Sequence, residues 1–256
     1  MERPRPHPLQ LPRLQRRARH RAHRPGAAAR LAGLSLYSFN LRTIIPYLPH
    51  FYAAGLLTIE ISALALLISI PLGLAGALGR TGRNRLLDGA IATYVELVRN
   101  VPLLVVLYLL FYALPVSLRL SALQAGVLAL AVNSTAFCIE IFRGGLSAIP
   151  RGQYEAAASL GLPRVTAFRL IIQPQLLRVV FPSLGNQVIS VVLGSSVASV
   201  IGVPELTYET LSIGSATFRY FELFVLAAVS YIVAAQVINL VWRAVGRTLG
   251  ARQPAR

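Results

Sequence analysis

The sequence predicts an all-α integral membrane protein with five transmembrane helices and a short helix-turn-helix between the third and the fourth. Hydrophobic residues make up 55% of the chain and charged residues only 13%, whereas about a quarter of the residues of a soluble domain are charged. Five stretches also lack Asp, Glu, Lys, Arg and His, and each approaches the roughly 20 residues that a spanning helix needs. These stretches are residues 61–79, 101–118, 120–139, 179–204 and 223–242. Their continuous apolar character favours helices over alternating barrel strands.

Several kinds of chemistry are excluded by composition. All 25 basic residues are arginine, so the chain cannot hold a Walker A phosphate loop, which requires a lysine. Cys138 is the single cysteine, which excludes a disulfide framework and a Cys-rich zinc site. The histidines lie outside the five stretches, at His7, His20, His23 and His50. We therefore expect neither catalytic residues nor a metal site among the spans.

The chain divides into three parts by composition. Residues 1–40 form an extension rich in arginine and proline, which we expect either to be disordered or to precede the true translation start. Residues 51–246 form the membrane domain, and residues 247–256 a short basic tail. A nucleic-acid-binding role for the extension is disfavoured, because the rest of the chain belongs in a lipid bilayer.

Arginine placement predicts the orientation of the spans. Arginines cluster after the first, third and fifth spans, at Arg80, Arg83, Arg85, Arg143, Arg151, Arg164, Arg169, Arg178, Arg243, Arg247, Arg252 and Arg256. The positive-inside rule places these segments in the cytoplasm and the N-terminus outside. The all-arginine usage is typical of a GC-rich bacterium.

The connection between the third and fourth spans has helical signals of its own. Residues 154–160 are good helix formers, and Gly161 can supply a left-handed C-cap. Pro163 can open a second short helix, which we expect to stop near Pro174. This connection should be a cytoplasmic helix-turn-helix.

The same connection carries a spaced motif. It reads Glu155-Ala156-Ala157, three residues, Gly161, nine residues, Ile171-Ile172-Gln173-Pro174. The motif resembles the EAA loop of ABC importer permeases, whose form is E-A-A, three residues, G, nine residues, I-x-L-P, with Gln173 replacing the leucine. In that family the loop is a coupling helix that docks in a groove of the ATPase. The resemblance implies a coupling role for Glu155, Ala156, Ala157, Gly161, Ile171 and Pro174.

The resemblance covers residues 40–246 and is closest to the polar amino-acid uptake branch. It is carried further by residues 55–60, 94–104, 133–140, 143–145, 149–153 and 184–187. It implies a permease subunit of the bacterial cytoplasmic (inner) membrane that moves polar amino acids or a related small solute by alternating access. The implied partners are a separate ATPase that binds ATP and Mg²⁺, a second permease subunit and an extracytoplasmic solute-binding protein. No cofactor is implied in this chain.

Polar side chains inside the spans are candidates for the transport path, because burying them in lipid is costly. The candidates are Glu60, Asn133, Gln187, Ser190, Ser195 and Ser196. Glu60 could pair with a substrate ammonium group, pair with Arg99 or have a capping role near the membrane interface. Asn133 and Glu140 could instead stabilise helix packing. Many amino-acid permeases resemble K-D-T-S-L where this sequence has Leu-Gly-Ser-Ser-Val at 193–197, which predicts a weaker contribution to substrate contact.

Two other classes of protein remain as alternatives. A secondary transporter or channel would need its own ion-coupling site, and no inverted repeat is visible. A membrane-embedded hydrolase would need a nucleophile with a base, yet no His or Lys lies within the spans.

Overall fold

The computed structural model describes residues 42, 44–82 and 84–248, and the secondary structure of this part of the chain is helical. The predicted extension at residues 1–40 and most of the tail lie outside the described residues. The α-helices of the described part are α1 Leu48–Arg80, α2 Arg85–Asn100, α3 Leu103–Tyr112, α4 Ala122–Ser147, α5 Arg151–Ser159, α6 Arg164–Ala167, α7 Gln173–Gly194, α8 Leu206–Thr217 and α9 Tyr220–Thr248. Helices of 3-10 type add Ile45–Tyr47, Val116–Leu118 and Ser195–Ile201, and a π-helix at Phe168–Ile172 joins α6 to α7.

Within the described residues, four helical segments are long and apolar enough to cross a membrane. They are Ile45–Arg80, Ala122–Ser147, Arg164–Ile201 and Tyr220–Thr248. A fifth span is made when α2 and α3 are counted together, with a bend of 105° between them. The predicted all-helical membrane fold is therefore confirmed.

The expectation of one straight span over residues 101–118 is wrong. Val101 has extended backbone angles (φ −102°, ψ 130°) because Pro102 disfavours the helical conformation of the residue before it. The helix that follows ends at Tyr112 after ten residues. The missed helix, α2, precedes the bend. Its N-cap is Asn84, whose side chain accepts hydrogen bonds from the backbone N–H groups of Leu86 and Leu87.

The expected stop near Pro174 is also wrong. Pro174 lies in the first turn of α7, and the helical path from Arg164 runs through it to Ile201. The π-helix at Phe168–Ile172 comes directly before this turn. A π-turn is wider than an α-turn, which gives room for a proline ring that would otherwise crowd the carbonyl group four residues earlier.

The core is centred on the parallel packing of α1 against α4. Small residues allow this close approach: a Cβ atom added at Gly73 would overlap the Cβ atom of Cys138, and one added at Gly76 would lie 2.7 Å from the side chain of Ile139. Helices in membranes associate largely through such packing, because lipid offers no hydrophobic driving force between them.

We expect Gly73→Ala to lower the melting temperature of the purified protein in detergent. The added methyl group would force α1 away from α4, and overpacking of this kind costs about 1–3 kcal/mol. Gly55→Ala, in the same helix, is the control, because a Cβ atom there meets no atom within 4 Å. Equal melting temperatures for the two variants would contradict the close contact.

The two ends of the bundle have different character. At one end, Arg80 of α1 reaches Glu140 of α4, and Ile172 and Leu176 pack with Phe142. At the other end, the first turns of α1 pack on α8 and α9. The loop between α4 and α7 thus lies at the end where α1 and α4 finish.

At the opposite end, the buried carboxylate of Glu205 caps α8. It accepts hydrogen bonds from the backbone N–H of Tyr208 (2.9 Å) and from the hydroxyl of Tyr231 (2.8 Å). Burial raises the pKa of Glu205, while these hydrogen bonds act in the opposite direction. The carboxyl group therefore holds its proton more tightly in the folded than in the unfolded chain.

This raised pKa predicts a pH-dependent stability. The folded state should lose stability as the pH rises above the ordinary carboxyl value of 4.5, until it passes the raised pKa of Glu205. Glu205→Gln should remove this contribution from a series of melting curves measured against pH. Tyr231→Phe should extend the decline to higher pH, because loss of this hydrogen-bond donor raises the pKa of Glu205 further. A Glu205→Gln profile that matches the wild type would contradict the assignment.

Candidate functional site

The loop between α4 and α7 has the helix-turn-helix form that the sequence predicts. Helix α5 follows Pro150 and ends at Ser159, and Gly161 then adopts a left-handed conformation with φ of +67°. Helix α6 begins directly after Pro163. The predicted C-cap glycine and the predicted second helix start are both confirmed.

Backbone and side-chain contacts hold this loop in shape. The N–H groups of Gly161 and Leu162 donate to the carbonyl oxygens of Ala158 (2.9 Å) and Ala157 (3.1 Å), which is the pattern of a Schellman turn. The side chain of Gln175 in α7 donates to Gln153 in α5 at 3.1 Å. The loop is thus anchored to the bundle on one face.

The other face of the loop is open. Glu155, Ala156 and Gly161 are exposed, whereas Ala157 is buried against the bundle. The loop also exposes three large apolar side chains: Leu160 by 74%, Val165 by 70% and Leu170 by 69%. At the far end of the motif, Ile171 is half-buried and Pro174 exposed. An exposed apolar surface of this kind is typical of a protein contact.

A cavity of about 220 Å³, largely apolar but with three polar side chains in its lining, lies between α4 and α7. It brings the candidate side chain of Asn133 in α4 together with those of Gln187 and Ser190, which lie more than 50 residues later in α7. The amide of Gln187 donates to the hydroxyl of Ser134 at 3.1 Å, which ties the two helices together beside the cavity. The lining residues carry no charge. A molecule in this cavity could therefore form hydrogen bonds with the protein but no ion pair.

The remaining candidates lie elsewhere. Ser195 is fully buried and donates to the carbonyl of Val192 at 2.7 Å, and Ser196 donates to the carbonyl of Leu193 at 2.8 Å. Both hydroxyls are therefore engaged with the backbone of their own helix. Glu60 is exposed on α1 and does not line this cavity.

The suggested pairing of Glu60 with Arg99 is wrong. The nearest carboxylate to Arg99 is that of Glu140, with 4.0 Å between Nη1 and Oε2. Glu140 itself accepts hydrogen bonds from Arg80 (2.7 Å) and Arg143 (2.8 and 3.0 Å). This ion cluster joins α1 to α4, and its partners were missed because they lie in separate segments of the chain.

Among the described residues, no group of three or more His, Cys, Asp and Glu side chains is placed to hold a metal ion. The geometry of the loop and of the cavity between α4 and α7 suits docking and passage rather than bond chemistry.

Comparisons with known proteins agree with this arrangement. Residues 69–252 match the family described as the inner membrane component of binding-protein-dependent transport systems. The chain is 34% identical, over 76% of its length and 87% of the relative, to the probable amino-acid ABC transporter permease protein YckA of Bacillus subtilis (strain 168). It is 36% identical, over 69% of its length and 82% of the relative, to the probable glutamine ABC transporter permease protein GlnM of the same organism.

A solved structure of an amino acid ABC transporter with histidines is similar in fold as well as in sequence. The TM-score is 0.76 at 34% identity, and the match covers 83% of this chain and all of the other. The methionine transporter MetNI in an inward-facing conformation shares the fold, with a TM-score of 0.65 at 17% identity. The family match spans well over half of the chain and includes the whole loop between α4 and α7. The chain therefore belongs to the family of inner membrane components of binding-protein-dependent transport systems, with the type I fold of ABC importer permeases.

Proposed function

We propose that this chain is the permease subunit of an importer that takes up polar amino acids, driven by ATP hydrolysis on a separate ATPase subunit. The observation that carries the proposal is the loop from α5 to α6, with its exposed Glu155 and its left-handed Gly161. The amino-acid substrate is supported by the names of the relatives, which are amino-acid and glutamine permeases.

The open face of this loop is the proposed contact with the ATPase. Ala156 has only a methyl side chain and Gly161 has none, so another protein can approach the backbone of α5 and of the turn after it closely. The exposed Leu160 and Val165 supply apolar area to such a contact. Because Ile172 packs in the same core cluster as Phe142 and Leu176, a push on the loop would reach α4 and α7 directly. ATP and Mg²⁺ would bind to the partner, and this chain would need no cofactor.

Charge placement supports an orientation with the loop in the cytoplasm. Arg80, Arg143, Arg151 and Arg164 belong to the end of the bundle where α1 and α4 finish and the loop begins. Under the positive-inside rule, this end faces the cytoplasm and the N-terminus lies outside, in the inner membrane of a bacterium.

A second permease subunit would complete the path. In the membrane-spanning window of α9, only 6% of the residues are buried inside this chain, against 67% for α4. A bundle with so little cover over α9 cannot enclose a path alone. An extracytoplasmic solute-binding protein would deliver the substrate, which is in keeping with a family described as belonging to binding-protein-dependent transport systems.

The cavity of Asn133, Gln187 and Ser190 is the proposed contact of this subunit with the solute. Amide and hydroxyl groups can bind a neutral polar group without the desolvation cost of an ion pair. Gly194 lines the cavity and stands at the place of the acid in the K-D-T-S-L pattern that many amino-acid permeases resemble. In alternating access, closure of the ATPases would move the loop and switch this cavity between the two sides.

Co-purification from a membrane that contains the products of neighbouring genes tests this proposal. We expect an ATPase with a Walker A motif to be recovered with the chain, and ATP-dependent uptake of an amino acid by the reconstituted complex. Glu155→Arg should reduce recovery of the ATPase. Recovery of the chain alone, still able to move a solute down an ion gradient, would favour a secondary transporter instead.

A further inference from the structure

A second cavity, larger and charged, lies between α2 and α4 beside the end of α1. Its volume is about 460 Å³, and its polar lining comes from Arg80, Glu96, Arg99, Asn100, Glu140 and Arg143. Cavities of about 300–1,000 Å³ are of the size that binds small molecules. Neither the coupling loop nor the cavity of Asn133 accounts for this one.

Part of its charge is already neutralised inside the protein. Glu140 accepts a hydrogen bond from Arg80 at 2.7 Å and a bidentate pair from Arg143 at 2.8 and 3.0 Å. Arg80 also donates to Asp88 at 3.1 Å. These four side chains satisfy one another, so they form a wall of the cavity and not its binding groups.

Three polar groups of α2 remain open to the cavity. Among the described residues, the guanidinium of Arg99 makes no hydrogen bond, because its approach to Glu140 at 4.0 Å is too long for one. Its Cζ atom lies 5.3 Å from the centre of the Phe137 ring, which orients it over an apolar face. Glu96 is exposed, and its carboxylate has no ion pair or hydrogen bond within the described part of the chain. Asn100 donates its amide to the carbonyl of Glu96, which leaves its side-chain oxygen available.

This set of open groups is complementary to a zwitterion. A guanidinium binds a carboxylate strongly through charge-assisted hydrogen bonds. The carboxylate of Glu96, with the amide oxygen of Asn100, can accept the hydrogen bonds of an ammonium group. A bare anion such as phosphate would be repelled by Glu96, and a bare cation would be repelled by Arg99. We propose that this cavity binds the α-carboxylate and α-ammonium groups of an amino acid at the coupling-loop end of the permease, and that its occupancy slows transport.

The position of the cavity gives the physical route for this effect. Arg99 and Asn100 end α2 immediately before the 105° bend, and Leu103, just after the bend, lines the uncharged cavity of Asn133. Phe137 lines both cavities and so forms a shared wall. A ligand that links Arg99 to Glu96 would hold the bend and Phe137 in one arrangement, which opposes their movement during transport. This inference rests on the proposed function, since the loop end must face the cytoplasm for the site to meet imported amino acid.

The inference is tested by measuring whether amino acid inside a vesicle inhibits further uptake. The complete transporter is reconstituted in proteoliposomes that enclose ATP, with the solute-binding protein and labelled L-glutamine outside. Unlabelled L-glutamine is enclosed at increasing concentration, and the uptake rate is divided by the rate in vesicles without it. In wild type we expect this ratio to fall. Arg99→Gln and Glu96→Gln should each raise the half-inhibiting concentration by about tenfold, since each removes one charged contact.

Controls separate this site from general effects. Arg85→Gln makes the same change of charge in the same helix, outside the cavity, and should keep the wild-type inhibition. Enclosed phosphate should not inhibit, and inhibition by phosphate that requires Arg99 would overturn a zwitterion site. If Arg99→Gln does not fold, Glu96→Gln tests the site alone, because Glu96 is exposed and its replacement should not disturb folding. Wild-type inhibition in Glu96→Gln would then overturn the inference. Uptake that is normal but indifferent to enclosed glutamine would overturn this inference alone. Absence of ATP-dependent amino-acid uptake in wild type would instead contradict the proposed function.

Discussion

Glu140→Gln is expected to destabilise the helix bundle strongly. The carboxylate is the shared acceptor of Arg80 and Arg143, with Arg99 nearby, and its side chain is only 21% exposed. Without it, three guanidiniums would face one another in a partly buried site. Removing one partner from a fully buried ion pair costs about 3–5 kcal/mol, and solvent screening around the partly exposed arginines reduces the expected loss here to about 1–3 kcal/mol. The change should appear as a lower melting temperature of the purified protein in detergent and as lower accumulation in the membrane.

Two comparisons make this expectation specific. Glu96→Gln is the matched control, because it makes the same chemical change at an exposed carboxylate without an ion pair, and it should shift stability by no more than about 0.5 kcal/mol. The double variant Glu140→Gln with Arg143→Gln should recover part of the loss, since one uncompensated charge is removed. If Glu140→Gln and Glu96→Gln melt at the same temperature, the ion cluster contributes no stability.

The long helices could be predicted from sequence because lipid imposes a simple rule. A spanning segment must satisfy all its backbone hydrogen bonds internally, so an apolar run becomes a helix. This argument succeeds for α1, α4, α7 and α9. It fails at residues 101–118, where the apolar run is only partly helical. The run crosses Pro102 at its start and Pro115 near its end, and α3 ends at Tyr112.

Helix α2 was missed because it does not have the composition of a span. Arg85, Asp88, Glu96 and Arg99 interrupt its apolar residues, so a search for uncharged runs passes over it. Its apolar residues recur at helical spacing, and Asn84 stands where an N-cap belongs, which are signals that could have found it. Both open charged groups of the second cavity, Glu96 and Arg99, lie on this helix.

The structure of the loop can be predicted from the sequence, whereas the contacts that form the cavities cannot. The motif from Glu155 to Gly161 is local, so its helix and its turn are encoded within a few residues. Asn133 and Gln187 meet only because α4 packs on α7, and no local pattern states that pairing. The same holds for Glu140 and Arg80, which are 60 residues apart. For sites formed by long-range packing, the sequence identifies candidate residues but does not predict which of them are in contact.

Gly161→Pro is expected to abolish coupled transport, with at least about a tenfold loss of ATP-dependent uptake. Gly161 holds φ at +67°, whereas a proline ring fixes φ near −65°. The turn from α5 to α6 could not form, and the surface proposed to meet the ATPase would be lost. Because Gly161 is exposed and no side chain surrounds it, the spans should still insert and the protein should accumulate normally.

The same position supplies the control for this prediction. Gly161→Asn places a side chain where no atom lies within 4 Å, and asparagine tolerates the left-handed conformation better than most residues. This variant should retain most of the uptake. Uptake and ATP hydrolysis are measured together in proteoliposomes, so that a loss of coupling is distinguished from a loss of assembly. Near-normal uptake by Gly161→Pro would mean that the left-handed turn, and with it the docking geometry of α5, is not needed to transmit the ATPase movement.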